Sequence, residues 1–273
     1  MLRLDYTTDV LLIDVSYYII YRYHALHKWF QISETEYSEE LFLSKYESLF
    51  ESNLCKLMKK LRVLPHNVVL VGDCHRKNIW RMQICPDYKA SRDAYWEKNP
   101  IKENIFPLIH NTIIPNLINK RRIQYISLPA LEADDIVYGL KKKLYASGFQ
   151  KKMVILTNDS DYLQLIDVNV DVVNLPSMKS IRNRSLGCPR KDVLLKIMGG
   201  DPSDNIPRAV TKAKLMRFLK NEAQPVDDDA VRQFVSENGN LEQFEKNRVL
   251  IQMENVPDDL LDKIVIEEYT DSL

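Results

Sequence analysis

Short runs of large apolar residues, separated by segments with helical spacing, constrain the fold of this chain more than any other feature. The runs at 10–14, 68–71, 123–127, 153–156 and 170–174 are typical of buried strands. Apolar residues three or four positions apart predict helices at 38–62, 101–119 and 131–146, the second interrupted near its two prolines. Strands that alternate with helices predict an α/β fold with a mostly parallel central sheet.

The pattern changes near residue 185, beyond which it is helical throughout. We therefore expect an α/β domain at 1–184 and a smaller helical region at 185–273, punctuated by GDPSDNIP at 200–207. A chain of 273 residues is long enough for a sizeable core and a small appended region. Its seven glycines form neither a GxGxxG motif nor a P-loop, which argues against dinucleotide-binding and P-loop chemistry.

Cysteine usage and the absence of long apolar runs indicate where the chain acts. The four cysteines lie far apart with no CxxC pair, which argues against a zinc cluster or a disulfide framework. No apolar run approaches the ~20 residues of a membrane helix. The first residues, MLRLDYTTDV, lack the apolar stretch of a signal peptide. We expect a cytoplasmic chain (in the host cytoplasm if its source is viral) without a membrane partner.

The formal net charge of zero conceals an uneven distribution of charge. Residues 75–122 contain 10 Lys and Arg against 4 Asp and Glu, and residues 177–220 contain 11 against 3. Residues 221–273 contain 4 against 14. Two basic blocks and an acidic tail are compatible with a polyanion-binding protein, although solvated surface alone produces the same pattern.

Acidic side chains stand where the predicted strands end. In open α/β sheets, ligands bind outside the carboxyl ends of the strands. A single Asp there is commonly a helix cap, so no one of these acids is informative by itself. The set found at or after the strand ends is Asp14, Asp73, Glu132, Asp134, Asp135, Asp159 and Asp161, and Asp201 and Asp204 follow in the helical region.

The crowding of these acids predicts a divalent metal centre. Adjacent carboxylates raise one another's pKa values and destabilise the fold, and a divalent cation removes that cost. Ligand sets made only of oxygen suit Mg²⁺ or Mn²⁺ rather than zinc. Two such ions ~3.5–4 Å apart would activate water and stabilise the leaving oxygen of a phosphodiester. The acids therefore predict metal-assisted phosphoryl chemistry.

A basic and aromatic segment follows the second strand closely. Lys89 and Arg92 stand three residues apart and are expected to project together toward a phosphate. Trp80, Tyr88 and Tyr95 have rings that can stack on unpaired bases. The alternative is an amphipathic helix with its aromatic side chains in the core and its cations in water.

These residues, in this order, resemble the flap endonuclease family of structure-specific 5′ nucleases. The motifs that carry the resemblance cover about 10 to 210 and are LLIDVSYYIIYRYHA, Asp73 with Trp80-Arg81, YKASR, EADD, TNDSDYLQL and GDPSDNIP. The segment FEKNRVLIQMENVPDDL at 244–260 is similar to the bacteriophage ribonuclease H branch. The resemblance implies a PIN-like or resolvase-like core, a helical arch forming a gateway at about 75–100, and a C-terminal helical DNA-binding region.

The resemblance also implies roles for individual residues. The first metal cluster would comprise Asp14, Asp73, Glu132, Asp134 and Asp135, and the second Asp159, Asp161, Asp201 and Asp204. Two Mg²⁺ ions are implied, with Mn²⁺ able to substitute. The catalytic cations of the gateway would be Arg81, Lys89 and Arg92, which contact the scissile phosphate in the family. One of Tyr17, Tyr18 and Tyr21 would stack against a base.

The chain departs from the family after GDPSDNIP. Most relatives have a glycine-rich hairpin close to PGxGxKTA, whose backbone binds duplex phosphates and a monovalent cation. Here residues 208–214 read RAVTKAK and contain no glycine, so the backbone cannot approach a phosphate as closely. We expect side-chain contacts to duplex through a divergent helix-turn-helix-type motif that includes Arg208, Lys212 and Lys214.

Three functions compete at this point. The first is a two-metal 5′-3′ exonuclease or flap endonuclease, of ribonuclease H type, that acts in DNA replication or repair on 5′ flaps, nicks and RNA–DNA hybrids. A single-stranded-DNA-binding protein or a sliding clamp would recruit it, although no QxxLxxFF peptide is visible near the C-terminus. The second is a PIN-type endoribonuclease. The third is a branched-DNA-binding protein without catalysis, which would be expected to have lost some of the nine acids.

Overall fold

The computed structural model describes residues 1–183, 186–221 and 226–269 of the chain. The boundary expected between residues 184 and 185 lies outside the described residues. Eight strands are found in this part of the chain. They are β1 (Leu2–Leu4), β2 (Val10–Asp14), β3 (Val68–Val71), β4 (Gln124–Ile126), β5 (Met153–Leu156), β6 (Val170–Asn174), β7 (Lys179–Ile181) and β8 (Ile266–Glu268).

Six of these strands form the central sheet in the order β4-β3-β2-β5-β6-β7. All neighbours are parallel except β6 and β7, which confirms the prediction of an α/β fold with a mostly parallel sheet. The chain moves outward from β2 to β4 on one side and from β5 to β7 on the other. The strand order therefore reverses between β2 and β5, which is where such sheets bind ligands.

Helices cover both faces of the sheet and build the C-terminal region. The helices before the boundary are α1 (Val15–Ile32), α2 (Glu39–Leu61), α3 (Ser91–Lys98), α4 (Ile105–Leu108), α5 (Ile114–Arg121) and α6 (Ala133–Ala146). Those after it are α7 (Pro189–Gly199), α8 (Lys212–Asn221), α9 (Asp228–Asn238), α10 (Leu241–Ile251) and α11 (Asp258–Leu261). The helix predicted at 101–119 is instead α4 and α5 joined by a π-helical segment, Ile109–Ile113.

Strand β2 shows why the apolar runs must be buried. Val10 and Leu12 point into the apolar cluster that contains α6, whereas Leu11 and Ile13 point into the cluster that contains α1 and α2. All four are fully buried. Because successive side chains of a strand face opposite sides, a strand covered on both faces must be apolar throughout.

The C-terminal region shares the core of the sheet domain. The sequence analysis expected this region to be helical throughout, and that expectation was wrong, because it also contains a strand. The cluster that holds α6 also contains buried side chains of α7, α8 and α10. After α11 the chain forms β8, which pairs in parallel with β1 and returns the C-terminal part to the start of the chain. Residues 266–268 are too few to show a period-2 pattern, and the strand forms only by pairing with residues more than 260 positions away. No helix in the described part of the chain is both long and apolar enough to cross a membrane.

Candidate active site

The carboxyl ends of the central strands bring the first acids together. Asp14 ends β2 and caps α1: its Oδ1 accepts a hydrogen bond of 3.0 Å from Tyr17 N, and its Oδ2 accepts one of 3.2 Å from Thr157 Oγ1. Asp73 follows β3 and accepts hydrogen bonds from Ser16 Oγ at 2.7 Å and from Ala133 N at 2.8 Å. Both carboxylates are therefore held in fixed orientations by neighbouring strand ends and helix starts.

These acids line one cleft of about 520 Å³, which we call the acid cleft, at the point where the strand order reverses. Glu132 caps α6, and Asp134 and Asp135 lie in its first turn. The three place carboxylate oxygens within 4.8 Å of one another. The acids that line the cleft are Asp14, Asp73, Asp93, Glu132, Asp134, Asp159 and Asp161. The structure thus brings together four of the five acids that the sequence analysis assigned to a first metal cluster and two that it assigned to the second.

Two carboxylates of this cleft, Asp14 and Asp134, are disfavoured in their ionised forms. Burial and the neighbouring Asp73 carboxylate raise the pKa of Asp14 to about 7. Burial and Asp135 raise the pKa of Asp134 well above its usual range. Raised carboxylate pKa values, an all-oxygen ligand set and partial exposure to a cleft fit a divalent cation, which would favour the ionised forms. The residues present therefore suit a hard divalent metal.

The remaining acids form a second group in an adjoining cleft of about 640 Å³. Asp161, Asp201 and Asp204 place carboxylate oxygens within 4.8 Å of one another. Asp159 and Asp161 line both clefts, so the two groups form one continuous groove. Lys196 Nζ lies 2.5 Å from Asp161 and 2.7 Å from Asp201. Sequence reasoning missed Lys196, whose only signal was its place in the second basic block.

Asp135 does not fit the role of metal ligand that the resemblance implies. It is fully buried, and Arg81 donates to both of its oxygens, at 2.7 and 2.8 Å. Trp80 Nε1 donates to its Oδ2 at 3.0 Å, and Glu132 N does so at 3.1 Å. Unlike Glu132, Asp135 lines neither of the two clefts, and it holds Glu132 and the start of α6 in place.

Arg81, Trp80 and Tyr88 also differ from the sequence predictions, because all three are buried. Besides Asp135, Arg81 donates to Glu132 at 2.9 Å and to the carbonyl oxygen of Leu250 on α10 at 2.7 Å. The hydroxyl of Tyr88 donates to Glu132 at 3.0 Å. Arg81 is therefore no gateway phosphate ligand in this structure, and the two rings are enclosed where no base can stack. The alternative interpretation, with the aromatic side chains in the core, is correct for them.

Lys89 and Arg92 both line the acid cleft, although they do not lie on one helix. Lys89 precedes α3 and has a left-handed backbone with φ 57°. Its N donates to the backbone oxygen of Asp204 at 3.0 Å, and its ammonium pairs with Glu132. Arg92 Nη2 lies 2.7 Å from Asp204 Oδ1. Burial disfavours the charge of Lys89, but Glu132 and Asp204 outweigh it and raise the pKa.

Tyr17 is the tyrosine of α1 that faces the groove. It lines both clefts and is partly exposed, whereas Tyr18 is fully buried and donates to the backbone oxygen of Phe50. Tyr21 packs against Tyr17 with ring centroids 6.1 Å apart. Arg76 also lines the acid cleft and pairs with Asp93 of α3 at 2.5 Å. Sequence reasoning did not single out Arg76, although it stands in the first basic block.

The segment 200–214 presents the predicted duplex-binding side chains. Gly200 has φ +73°, and a Cβ there would lie 2.5 Å from the backbone oxygen of Ile206, so the turn between α7 and α8 requires glycine. Arg208, Lys212 and Lys214 are all exposed. Helices α7 and α8 thus flank a tight turn, with three basic side chains directed to solvent.

Comparisons with known proteins agree with this geometry. A profile of the 5′-3′ exonuclease N-terminal resolvase-like domain matches residues 9–191. A 5′-3′ exonuclease of Buchnera aphidicola subsp. Baizongia pistaciae is 35% identical over 156 residues, which cover 54% of this chain and 47% of that protein. Ribonuclease H of Enterobacteria phage T4 is 26% identical over 244 residues, 83% of this chain and 78% of that protein.

The solved structures show the same fold. The T5 D15 protein co-crystallised with metal ions has a TM-score of 0.60 at 17% identity, covering 93% of this chain and 96% of that chain. The T5 5′-exonuclease with bound zinc has a TM-score of 0.61 at 16% identity. The chain spans about half the length of the first exonucleases that it matches. These findings confirm the fold and family predicted from the sequence.

Proposed function

This chain belongs to the 5′-3′ exonuclease family, and we propose that it hydrolyses phosphodiesters at 5′ flaps and nicks in DNA and in RNA–DNA hybrids. One observation supports this proposal above the others: acids from several strand ends meet in a groove that also holds Lys89 and Arg92. Negative ligands for metal beside cations for phosphate are the requirements of metal-assisted phosphoryl transfer.

We propose magnesium as the physiological metal, with manganese able to substitute. One ion would be held by Asp14, Asp73, Glu132 and Asp134, and a second by Asp159, Asp161, Asp201 and Asp204. When bound, the two ions would supply Lewis acidity to water and to the leaving oxygen. The donor set supports this assignment, because all four carboxylates proposed for the first ion line the acid cleft.

Side chains of the chain itself would position the substrate. Lys89 lines the acid cleft and Arg92 lines both clefts, where they can orient the scissile phosphate by charge-assisted hydrogen bonds. Arg81 and Asp135 would act indirectly, because their hydrogen bonds fix the position of Glu132. Tyr17 would stack on the base next to the cleaved bond, since its ring is partly exposed between the clefts.

The remainder of the chain would bind duplex and partners. We propose that residues 1–184 are the catalytic domain, with a gateway at about 75–100, and that 185–273 carry a divergent helix-turn-helix-type motif. Arg208, Lys212 and Lys214 would contact duplex phosphates. Recruitment in DNA replication or repair would depend on a single-stranded-DNA-binding protein or a sliding clamp. An intracellular site of action follows from a nucleic-acid substrate.

Cleavage of a 5′-labelled flap duplex tests the proposal. Wild-type chain and Asp134→Asn are compared with Mg²⁺ and with EDTA, and Asp259→Asn, an exposed acid of α11, serves as the matched control. We expect cleavage near the junction that requires both metal and Asp134, with junction binding retained in Asp134→Asn. Substantial Mg²⁺-dependent turnover by Asp134→Asn would contradict the site assignment.

The two competing functions predict other results when unstructured RNA is tested beside the flap duplex. A PIN-type endoribonuclease would digest the RNA and leave the flap duplex intact. A branched-DNA-binding protein would bind the junction and release no product with Mg²⁺ or Mn²⁺. Either result would replace the proposed function.

A further inference from the structure

Tyr162 places a buried hydroxyl beside the acid cleft. The residue lies in the short helical turn Ser160–Leu165, which directly follows Asp159. Its side chain is 1% exposed and belongs to the apolar cluster that contains α6. It also lines the acid cleft. The ring is therefore packed in the core while part of the side chain borders the cleft.

Other tyrosines that are as deeply buried have partners for their hydroxyls. Tyr46, which is also 1% exposed, donates to the backbone oxygen of Ile19 at 3.0 Å, and Tyr18 donates to that of Phe50 at 3.3 Å. The hydroxyl of Tyr162 makes no hydrogen bond within the described residues. Such a hydroxyl costs free energy, and phenylalanine would fill the same space without that cost. The unsatisfied hydroxyl therefore points to a partner that it gains when the cleft binds its ligand.

The surroundings of this hydroxyl are acidic. Burial raises the pKa of Tyr162 well above its usual range, and the negative charge of four nearby carboxylates raises it further: Asp14, Asp134, Asp73 and Asp159. Three of these four acids are the proposed ligands of the first ion. A hydroxyl that keeps its proton among carboxylates is a hydrogen-bond donor to them.

The carboxylates beside Tyr162 can accept further hydrogen bonds. From the described residues, Asp14 accepts one hydrogen bond on each oxygen, and Asp134 accepts one from Asp135 N at 2.9 Å. An ionised carboxylate has about four acceptor positions, so each of these acids can bind a metal ion and also accept a hydrogen bond. Carboxylates that bind metal ions are in turn held by hydrogen bonds from neighbouring groups.

We propose that Tyr162 is a positioning residue for the first divalent ion, and that its hydroxyl donates a hydrogen bond to Asp14 or Asp134 when that carboxylate holds the ion. This inference rests on the proposed function and adds a residue to which the sequence analysis gave no role. The hydrogen bond fixes the orientation of the ligand oxygen, so its loss weakens binding of the ion. The ring of Tyr162 serves the core, and its hydroxyl serves the site.

Binding of Mn²⁺ to the metal-free full chain tests this role, because the electron paramagnetic resonance signal of free Mn²⁺ measures the unbound ion. The binding step that Asp134→Asn abolishes identifies the first ion. Tyr162→Phe removes the hydroxyl and keeps the ring, and we expect it to weaken that step on the order of 10-fold. Tyr46→Phe is the matched control, since it removes an equally buried hydroxyl in the other apolar cluster and should leave Mn²⁺ affinity unchanged.

Melting temperatures in EDTA separate this role from a purely structural one. Tyr162→Phe should not lower the melting temperature, because its hydroxyl makes no hydrogen bond within the described residues, whereas Tyr46→Phe should lower it. Wild-type Mn²⁺ affinity in Tyr162→Phe would overturn the inference and leave the proposed function standing. A drop in melting temperature as large as that of Tyr46→Phe would do the same. Absence of both Mn²⁺ binding and cleavage in the wild-type chain would instead overturn the proposed function.

Discussion

Arg81 compensates two buried carboxylates and joins three parts of the chain. Its guanidinium contacts Glu132 and Asp135 at the start of α6 and the Leu250 carbonyl at the end of α10. Removal of one partner of a buried ion pair leaves an uncompensated charge, which costs far more than loss of an exposed pair. Arg81 therefore links the geometry of the acid cleft to the C-terminal region.

Arg81→Ala is expected to lower the free energy of unfolding by about 3–5 kcal/mol, as measured by urea denaturation without metal. Arg182→Ala is the control, because its pair with Asp171 is exposed. Loss of that pair should cost no more than about 1 kcal/mol. Similar small losses for both variants would show that Arg81 does not carry the buried charge.

The raised pKa of Asp14 predicts how pH affects the metal-free chain. Burial and Asp73 raise this pKa from 3.8 to about 7, so the folded chain binds the proton more tightly than the unfolded chain does. Stability should therefore fall as pH rises from about 4 to about 7. Asp14→Asn cannot ionise, and it keeps a side-chain acceptor for the cap of α1.

The measurement is the melting temperature in EDTA at pH 5 and at pH 8. We expect the wild-type chain to lose more stability over this interval than Asp14→Asn does. The same pH dependence in both proteins would exclude Asp14 as the source.

At the scale of elements, the buried carboxylate of Glu103 holds the arch segment, residues 91–104, against α1 of the sheet domain. Glu103 accepts a hydrogen bond of 2.7 Å from Tyr23 and another from Tyr37, and His27 Nε2 lies 3.1 Å away. Burial opposes its ionisation, but the Tyr37 and Tyr23 hydrogen bonds lower its pKa overall. The C-terminal end of the arch segment is thus held to α1, whose N-cap is Asp14.

Glu103→Ala should destabilise the chain by about 2–3 kcal/mol, because the hydroxyl of the buried Tyr23 loses its acceptor. Hydrogen–deuterium exchange should rise across residues 91–104 before the sheet is affected. Glu97→Ala, at an exposed position of α3, is the control and should leave exchange unchanged. A uniform rise over the whole chain would show that Glu103 supports the core rather than the arch segment.

At the scale of the whole molecule, the second basic block and the acidic tail belong to different helices. Arg208 precedes α8, and Lys212 and Lys214 lie in its first turn, whereas most acids of residues 221–269 lie in or next to α9, α10 and α11. Each phosphate contact contributes a slope of about −0.9 to the dependence of log affinity on log salt for duplex DNA. The basic segment should therefore dominate the salt dependence of duplex binding.

Joint replacement of Arg208, Lys212 and Lys214 by Ala should reduce that slope by about 2–3 in titrations from roughly 50 to 200 mM salt. The matched control replaces Lys56, Lys59 and Lys60, three exposed lysines of α2. An unchanged slope in the first triple variant would place the duplex on another surface.

The residue pattern was enough to predict the parallel sheet and the position of the acids at its strand ends. Apolar runs such as 68–71 are stable only when buried on both faces, and parallel strands bring their carboxyl ends to one edge. The family followed from the same motifs, because their residues and order are specific. Lys89 and Arg92 were predicted to project together toward a phosphate, and both line the acid cleft.

Which side chains face the groove and which face the core depends on how the elements pack. Asp134 and Asp135 are neighbours in sequence, but successive helix residues point about 100° apart, so one lines the cleft and the other is buried. Arg81 and Trp80 point into the core because they donate hydrogen bonds to Asp135. Those hydrogen bonds form only after α6 has packed. The pairing of β1 with β8 likewise depends on the whole chain having folded. Local spacing carries no information about such distant partners.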